Sequence, residues 1–371
     1  MRVIALLLVT FLRVCEAQTS DLVTVQWYVW VILGLAVTVG VVVALFSFYC
    51  IFIHCRGVLA PRVSEDLQRL MMLQETNKGV SVEVKRDDIN VTQQLGEGQF
   101  GPIYDAEVRL DVDVLSRALV KVFRSGTAQD LDKFREEVES HLDLQHRNVT
   151  KLFGVVSRTP YYALYELPVN GDLKTFLVAS SSMNVAELLP KTIQLIAMVA
   201  DAAAGLEYLQ SINFVHSDLA ARSCVVTQSL SVKISVYNVG RYLFRNEYSP
   251  QPDGSLIPLR WMAPESITTK TFSTVTDIWS FGVLLWEVMT RGSLPHTALT
   301  DTEVQDAASQ KHLVLPAPSF CSPPIYQIIL KCCSYDPKTR PSAEAVHSLL
   351  KSRALAEIMA EAENDAHMVQ N

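Results

Sequence analysis

The sequence predicts an α+β fold in which one domain has two lobes and is preceded by a single transmembrane helix. Alternating apolar residues, typical of strands, occur at residues 91–95 and 118–122, and long helical patterns follow at residues 191–210 and 276–290. One uncharged apolar run near the N-terminus exceeds the length needed to cross a bilayer. The 371 residues leave room for this anchor and one large domain with an ample core.

Charge and cysteine usage exclude several classes of function. The formal net charge of −7 gives no basic footprint, so we expect no nucleic acid partner. The seven cysteines show no paired C-x-x-C spacing, which indicates neither a zinc site nor a disulfide framework.

The N-terminal region contains two apolar runs of different length. The first, residues 4–12, is too short to span a bilayer and is followed by small residues up to Ala17, so residues 1–17 are predicted to be a signal peptide. The second, residues 27–53, has no charged residue and would reach about 40 Å as a helix, which is more than the ~30 Å hydrocarbon core. It is predicted to be the transmembrane helix.

Flanking charges predict the orientation of that span. Asp21 precedes it, whereas Arg56 and Arg62 follow it, so the bulk of the chain is expected in the cytosol as a single-pass type I membrane protein. Residues 18–26 then form a short extracellular stub. Residues 54–88 are predicted to be a juxtamembrane linker, because they show no sustained apolar period.

A glycine loop opens the predicted domain, which covers residues 89–354. Gly96, Gly98 and Gly101 follow the G-x-G-x-x-G pattern, which alone is weak evidence because dinucleotide-binding turns share it. Here Pro102 and an extended segment beginning at Ile103 follow, rather than a helix. This context favours a strand hairpin over phosphate groups.

Two charged residues further on fit the same site. Lys121 lies on a predicted strand, and Glu137 lies on an amphipathic helix downstream. A strand lysine paired with a helix glutamate is the arrangement with which protein kinases orient nucleotide phosphates. Either residue without this context would be read as an ordinary surface charge.

The run at residues 214–223, FVHSDLAARS, is the most specific motif. Together with WMAPE at 261–265, DIWSFG at 277–282 and Arg340-Pro341, it follows the order and spacing of a protein kinase. The LAAR form after Asp218, and PLRWM at 258–262, resemble tyrosine kinases rather than serine/threonine kinases. The resemblance implies a bilobal kinase fold, with an antiparallel sheet and one helix in the N-lobe and a helical C-lobe.

Two departures from that pattern remove the metal ligands. Val236 stands where kinases carry the aspartate of Asp-Phe-Gly, and Ser223 stands where they carry the catalytic-loop asparagine. Magnesium prefers oxygen ligands in near-octahedral geometry, and valine offers none. We therefore predict no metal ligand set, with Asp218, Lys121 and Glu137 as vestigial catalytic residues.

The predicted nucleotide cleft is also altered. Its vestigial binding residues are expected to be Gly96, Gly98, Gly101, Ile103, Lys121 and Glu166. Leu119 replaces the small residue that covers adenine, and Tyr165 fills the position at the back of the pocket. Because added bulk in a close-packed cleft opposes a ring, no cofactor is expected. Weak ATP binding without magnesium remains an alternative.

One family of receptor pseudokinases fits these departures better than kinases at large. The VYN triplet at 236–238 in place of Asp-Phe-Gly, Leu119 and the MTRGSLPH run at 289–296 resemble the family of protein tyrosine kinase seven, also called colon carcinoma kinase four, with its insect relative off-track. This resemblance implies an inactive co-receptor in Wnt and planar-polarity signalling. This sequence departs from the family's pattern in two ways. It lacks the family's immunoglobulin domains, and its catalytic loop has Ser223 where the family usually keeps asparagine.

Three functions follow as hypotheses. The first is a membrane-inserted scaffold that binds other membrane receptors or cytosolic signalling proteins. The second is a weak receptor tyrosine kinase that uses Asp218 as base, and the third is a metal-independent ATP switch. The last stretch, residues 355–371, is rich in alanine and glutamate and is predicted to be a solvated, helix-prone tail.

Overall fold

A six-stranded sheet and one helix form the N-terminal lobe in this computed structural model, which describes residues 82–111, 114–182, 191–319 and 321–370. The predicted signal peptide, extracellular stub, transmembrane helix and most of the predicted linker lie outside the described residues. The strands are β1 (Val82–Glu83), β2 (Ile89–Glu97), β3 (Pro102–Asp111), β4 (Val114–Phe123), β5 (Leu152–Val156) and β6 (Tyr161–Glu166).

The strand order is β1-β5-β6-β4-β3-β2. Every pair of neighbouring strands from β5 to β2 in this order is antiparallel, which confirms the predicted antiparallel sheet. β1 adds a parallel edge to β5, where Val82 lies opposite Gly154 and Glu83 opposite Val155. Residues 82 and 83, assigned above to the linker, are therefore part of the sheet.

Helix α1 (Ala128–His141) packs inside this lobe and begins at a capping box. The Thr127 hydroxyl accepts the Asp130 N–H at 3.2 Å, and the Asp130 carboxylate accepts the Thr127 N–H at 2.9 Å. Two of the unpaired N–H groups at the start of the helix are thus satisfied. Phe134, Val138 and His141 are buried at helical spacing, so one face of α1 is fixed to the core.

The C-terminal lobe is helical, as predicted. Its helices are α2 (Leu173–Ser182), α3 (Thr192–Ser211), α4 (Gly240–Leu243), α5 (Pro264–Thr269), α6 (Thr274–Met289), α7 (Asp301–Ser309), α8 (Pro323–Cys332) and α9 (Ala343–Gln370). Two short antiparallel pairs accompany them, β7 (Cys224–Val226) with β8 (Val232–Ile234), and β9 (Ser249–Pro250) with β10 (Leu256–Ile257).

Helices α3 and α6 form the centre of this lobe. Every residue of α6 from Thr276 to Met289 is buried, as expected for a helix that is apolar on all sides. In the described part of the chain, α3 is the helix long and apolar enough to cross a membrane, but half of its apolar window is buried inside the lobe and it packs against α9. We therefore interpret α3 as a core helix.

Two polar contacts hold the lobe around the segment that follows α3. The Asp277 carboxylate accepts the backbone N–H groups of His216 at 2.7 Å and Ser217 at 2.9 Å. Arg340 donates two hydrogen bonds to Glu265, of which that from Nη2 to Oε2 is 2.8 Å. The bidentate pair fixes the relative position of its two side chains, whereas the Asp277 hydrogen bonds fix the loop at 214–223 to α6.

Candidate functional site

The glycine loop is the turn between β2 and β3. Gly98 N–H donates to the Gly101 carbonyl at 2.8 Å and closes the turn. Gly101 has φ +143, and a Cβ there would lie 2.6 Å from the Val122 carbonyl oxygen, so only glycine fits. Ile103, just after the turn, is buried beneath the sheet. The predicted loop is thus a strand hairpin.

Lys121 and Glu137 meet between β4 and α1, where the sequence places them. The Lys121 ammonium donates to Glu137 Oε1 and also to the Tyr237 carbonyl oxygen at 3.2 Å. Lys121 is largely buried, so its charge is balanced mainly by Glu137. These contacts join α1, β4 and the segment after β8, which holds α1 close to the cleft.

The back of the cleft is filled by side chains. Leu119 and Tyr165 are fully buried, and a hydrogen bond of 3.0 Å joins the Tyr165 hydroxyl to His141 Nδ1. The rings of Tyr165 and Tyr237 lie 5.6 Å apart between centroids. Burial lowers the pKa of His141 to about 3, with the charges of Lys121 and His216 acting in the same direction. His141 is therefore neutral at physiological pH.

Glu166 ends β6 at the edge of the cleft. Its carboxylate accepts a hydrogen bond from Lys233 at 2.5 Å and one from the Lys151 N–H at 3.2 Å. The side chain is thus committed to an ion pair beside the cleft. The role of Glu166 in nucleotide binding stays a prediction.

The two positions that hold metal in kinases are occupied by residues that do not fit one. Val236 is buried at 1% exposure and has no oxygen in its side chain. The Ser223 hydroxyl is used by a hydrogen bond of 2.5 Å to the Asp218 carbonyl oxygen. Since magnesium needs several oxygen ligands near 2.0–2.1 Å, these two residues do not supply an adequate metal site.

Asp218, the predicted base, has both carboxylate oxygens engaged. Arg222 Nη2 donates to Oδ1 at 2.7 Å, and the Tyr248 hydroxyl donates to Oδ2 at 2.6 Å. Arg222 Nε also donates to the Tyr248 oxygen at 2.7 Å. Burial, followed by the Asp218 charge, raises the pKa of Tyr248, so this hydroxyl keeps its proton. A substrate hydroxyl would have to displace Tyr248 to reach Asp218.

A buried charge network extends this contact. Arg222 Nη1 bonds to Glu247 at 3.1 Å, and Lys174 Nζ lies 2.9 Å from the other oxygen of Glu247. The Arg222 guanidinium also lies 4.0 Å from the centroid of the Trp261 ring. The segment carrying Glu247 and Tyr248 is therefore held on the loop that contains Asp218.

Helix α4 in the same segment lies against the glycine loop. A Cβ added at Gly96 would be 3.1 Å from Leu243 Cδ2, which shows how closely the two elements approach. Tyr242 is partly buried here, and its pKa is raised by burial although Arg241 and the Gln99 backbone act in the opposite direction. The front of the cleft is covered by α4.

Of the residues that the sequence predicts for the site, Gly98, Gly101, Lys121 and Glu137 line one cavity. Asp218 lies on the loop at 214–223, where it contacts Arg222 and Tyr248. The sequence did not predict the contacts that join Arg222, Glu247 and Tyr248. Arg222 carried a signal, because it follows Asp218 by four residues within the most specific motif. No local pattern indicates that Tyr248 reaches Asp218 across thirty residues of chain.

Comparisons with known proteins agree with this geometry. Residues 89–350 match the family described as protein tyrosine and serine/threonine kinase. The chain is 35% identical over 284 residues to the mouse high affinity nerve growth factor receptor, covering 74% of this chain and 35% of the receptor.

Two further relatives are informative. The chain is 33% identical to the Drosophila tyrosine-protein kinase transmembrane receptor Ror, covering 71% of this chain and 38% of the receptor. It is 36% identical to human inactive tyrosine-protein kinase 7, covering 74% of this chain and 26% of that protein. The chain thus spans at most 38% of the length of any of these three relatives.

Proposed function

Because the chain belongs to the family of protein tyrosine and serine/threonine kinases, we propose that it is a membrane-anchored, catalytically inactive receptor-like protein that recruits signalling partners through its folded domain. One observation carries the proposal: Asp218 is held by Arg222 and Tyr248 while Val236 offers no oxygen for a metal. Phosphoryl transfer depends on metal ions that bridge the nucleotide phosphates.

The energetic consequence is large. If the missing ligands cost about 5 kcal/mol in the transition state, the rate falls roughly 10³ to 10⁴-fold from the 1–100 per second that is typical of kinases. Displacement of Tyr248 from Asp218 would add to that barrier. Turnover at this rate is too slow for signalling, whereas the surface of the domain remains intact.

The partners we propose are other membrane receptors or cytosolic signalling proteins, in Wnt and planar-polarity signalling. Support comes from the motifs shared with the inactive receptor family and from the similarity to human inactive tyrosine-protein kinase 7. The single-pass type I topology rests on the apolar run at residues 27–53.

A thermal unfolding experiment tests the inactive state. The purified full chain in detergent micelles is heated with ATP, with and without magnesium. Binding to the folded state alone would raise the transition temperature, by an amount equivalent to about 2.7 kcal/mol when ATP is at 100 times its Kd. We expect magnesium to add nothing to the transition temperature measured with ATP alone. A magnesium-dependent increase of several degrees would overturn the proposal.

Recruitment is tested separately in cells. A chain carrying Asp218→Asn should restore signalling as fully as the wild-type chain in cells that lack the protein. Loss of rescue in this variant, with normal abundance at the membrane, would contradict a purely recruiting role.

One observation favours the weak-kinase alternative, namely the contact between Lys121 and Glu137. That alternative requires phosphotyrosine formation by the purified protein to disappear in both Lys121→Met and Asp218→Asn. We expect the wild-type chain to form no more phosphotyrosine than either variant.

A further inference from the structure

A groove of about 310 Å³ lies between α1 and the strands β5 and β6. One face of α1 forms the first wall, and the end of β5 with the start of β6 forms the second wall. None of the site residues predicted from the sequence lines this groove. It is therefore a feature of the N-terminal lobe separate from the cleft described above.

The floor of the groove is apolar. Phe134 and Val138 of α1 and Val156 of β5 are buried there, and Leu142 and Val155 are half-buried beside them. The volume lies at the lower end of the range of about 300–1,000 Å³ that is usual for small ligands. The groove is thus large enough for one aromatic ring with a small substituent.

One end of the groove is cationic. The Arg135 guanidinium lines the groove and lies 5.4 Å from the centroid of the Tyr161 ring. Arg158 is exposed on the turn between β5 and β6, directly after the groove wall. Arg86 is bound to the same turn, because its Nη2 atom donates to the carbonyl oxygens of Arg158 at 3.1 Å and Pro160 at 2.7 Å.

These three arginines form no ion pair with a carboxylate in the part of the chain that the structure describes. Guanidinium groups form paired hydrogen bonds with phosphate oxygens, and arginine clusters are a common means of recognising phosphorylated segments. Glu139 lines the groove one turn further along α1 and gives its other end a negative charge. An anionic group is therefore favoured at the end formed by Arg135.

A phosphotyrosine side chain combines the two properties that the groove offers to a ligand. Its ring matches the apolar floor, and its phosphate matches the cationic end. A phenylalanine beside an acidic residue supplies ring and charge from two side chains, and a carboxylate carries one charge where a phosphate carries about 1.5 to 2. Phosphotyrosine is thus the simpler fit.

We propose that the groove between α1 and the β5–β6 turn binds a phosphotyrosine in a segment of a partner protein, with the phosphate on Arg135. This inference rests on the proposed recruiting function and adds to it the chemical nature of the partner. A chain that forms no phosphotyrosine itself is thereby recruited to proteins that an active tyrosine kinase has phosphorylated.

Short fluorescent peptides are the probes in the test. The purified full chain in nanodiscs of neutral phosphatidylcholine is titrated into a peptide with one central phosphotyrosine, and binding is followed by fluorescence anisotropy. Matched peptides carry tyrosine, phosphoserine, or phenylalanine flanked by glutamates. We expect the phosphotyrosine peptide to bind at least about tenfold more tightly than each of these, because only it engages both floor and arginines. Absence of binding, or equal binding of any matched peptide, would overturn the proposal.

Substitutions locate the site. Arg135→Gln should weaken phosphotyrosine binding at least about tenfold, because the guanidinium fork is lost. Val155→Trp should weaken it as strongly by filling the groove without changing any charge. Lys133→Gln is the matched control, since Lys133 is an exposed cation of α1 that does not line the groove, and it should bind like wild type. Unchanged affinity in both Arg135→Gln and Val155→Trp would overturn the assignment.

Rescue in cells separates this inference from the proposed function. In cells that lack the protein, Arg135→Gln at normal abundance should restore signalling less well than Lys133→Gln. Full rescue by Arg135→Gln would overturn the role of the groove. Recruitment would then proceed through another surface, and the proposed function would fail only if Asp218→Asn also lost rescue.

Discussion

The hydrogen bond between His141 and Tyr165 gives a prediction that can be worked out quantitatively. It joins α1 to β6 at 3.0 Å, and both side chains are buried. Tyr165→Phe leaves the His141 nitrogen without this partner, and His141→Leu leaves the tyrosine hydroxyl without its partner. An unsatisfied buried group costs about 1–3 kcal/mol, so each variant should lower the free energy of unfolding by roughly that amount.

The double variant should behave differently. Replacing both polar partners by apolar groups of similar shape can be nearly neutral. We therefore expect His141→Leu with Tyr165→Phe to be less destabilised than the sum of the single variants, with a coupling of about 1 kcal/mol or more. Urea unfolding of a fragment covering residues 79–371, a compact unit by itself, provides the free energies.

The pH dependence gives a second readout on the same variants. Well above pH 6.5 His141 is neutral in both states and contributes no pH dependence. Below pH 6.5 the unfolded chain binds a proton that the folded chain, with a pKa of about 3, does not bind. The free energy of unfolding therefore falls as the pH is lowered from 6.5 toward 3, by about 2 kcal/mol at pH 5.

The two measurements should agree. The double variant lacks His141 and should lose about 2 kcal/mol less than the wild type between pH 7.5 and pH 5. His296, whose pKa is lowered to about 4 by burial and by Arg260, contributes equally to both proteins. Identical pH profiles for wild type and double variant, or additive effects of the single variants, would refute the reasoning.

Three further predictions concern stability and the metal position. Arg340→Ala removes the bidentate contact with Glu265 and should cost about 2–3 kcal/mol in urea unfolding, since the arginine side chain is buried. Gly205→Ala should cost about 2 kcal/mol or more, because its Cβ would lie 2.4 Å from the Asn148 carbonyl oxygen. Val236→Asp should destabilise the domain by roughly 3 kcal/mol through a buried carboxylate and should restore no phosphotyrosine formation.

Matched controls accompany these variants. Lys338→Ala changes an exposed cation close to Arg340 in the chain and should stay within about 0.5 kcal/mol of wild type. An Arg340→Ala protein as stable as this control would contradict the role given to the ion pair. A Val236→Asp protein that phosphorylates tyrosine would contradict the view that Ser223 and the Tyr248 contact also prevent catalysis.

The fold was largely predictable because its signals are local. Alternation around residues 91–95 and 118–122 predicted strands, and both segments lie in the observed β2 and β4. The apolar stretches at 191–210 and 276–290 correspond to α3 and α6 with shifts of one or two residues. The contact of Lys121 with Glu137 was predictable because the kinase motifs place the two residues on neighbouring elements.

The covered state of the cleft was not predictable in the same way. Tyr248 reaches Asp218 through a segment with short, irregular elements, and no periodicity in the sequence fixes its path. Likewise, the parallel pairing of β1 involves only two residues, too few for a strand pattern.

The proposed lack of catalysis is tested most directly by phosphate transfer from radiolabelled ATP. The purified full chain is incubated with ATP, magnesium and a tyrosine-containing polymer, beside the Asp218→Asn variant as the matched blank. We expect the wild-type protein to incorporate no more label into tyrosine than this variant. Incorporation at a rate near 1 per second, abolished by Asp218→Asn, would contradict the account, because that is the rate of a working kinase.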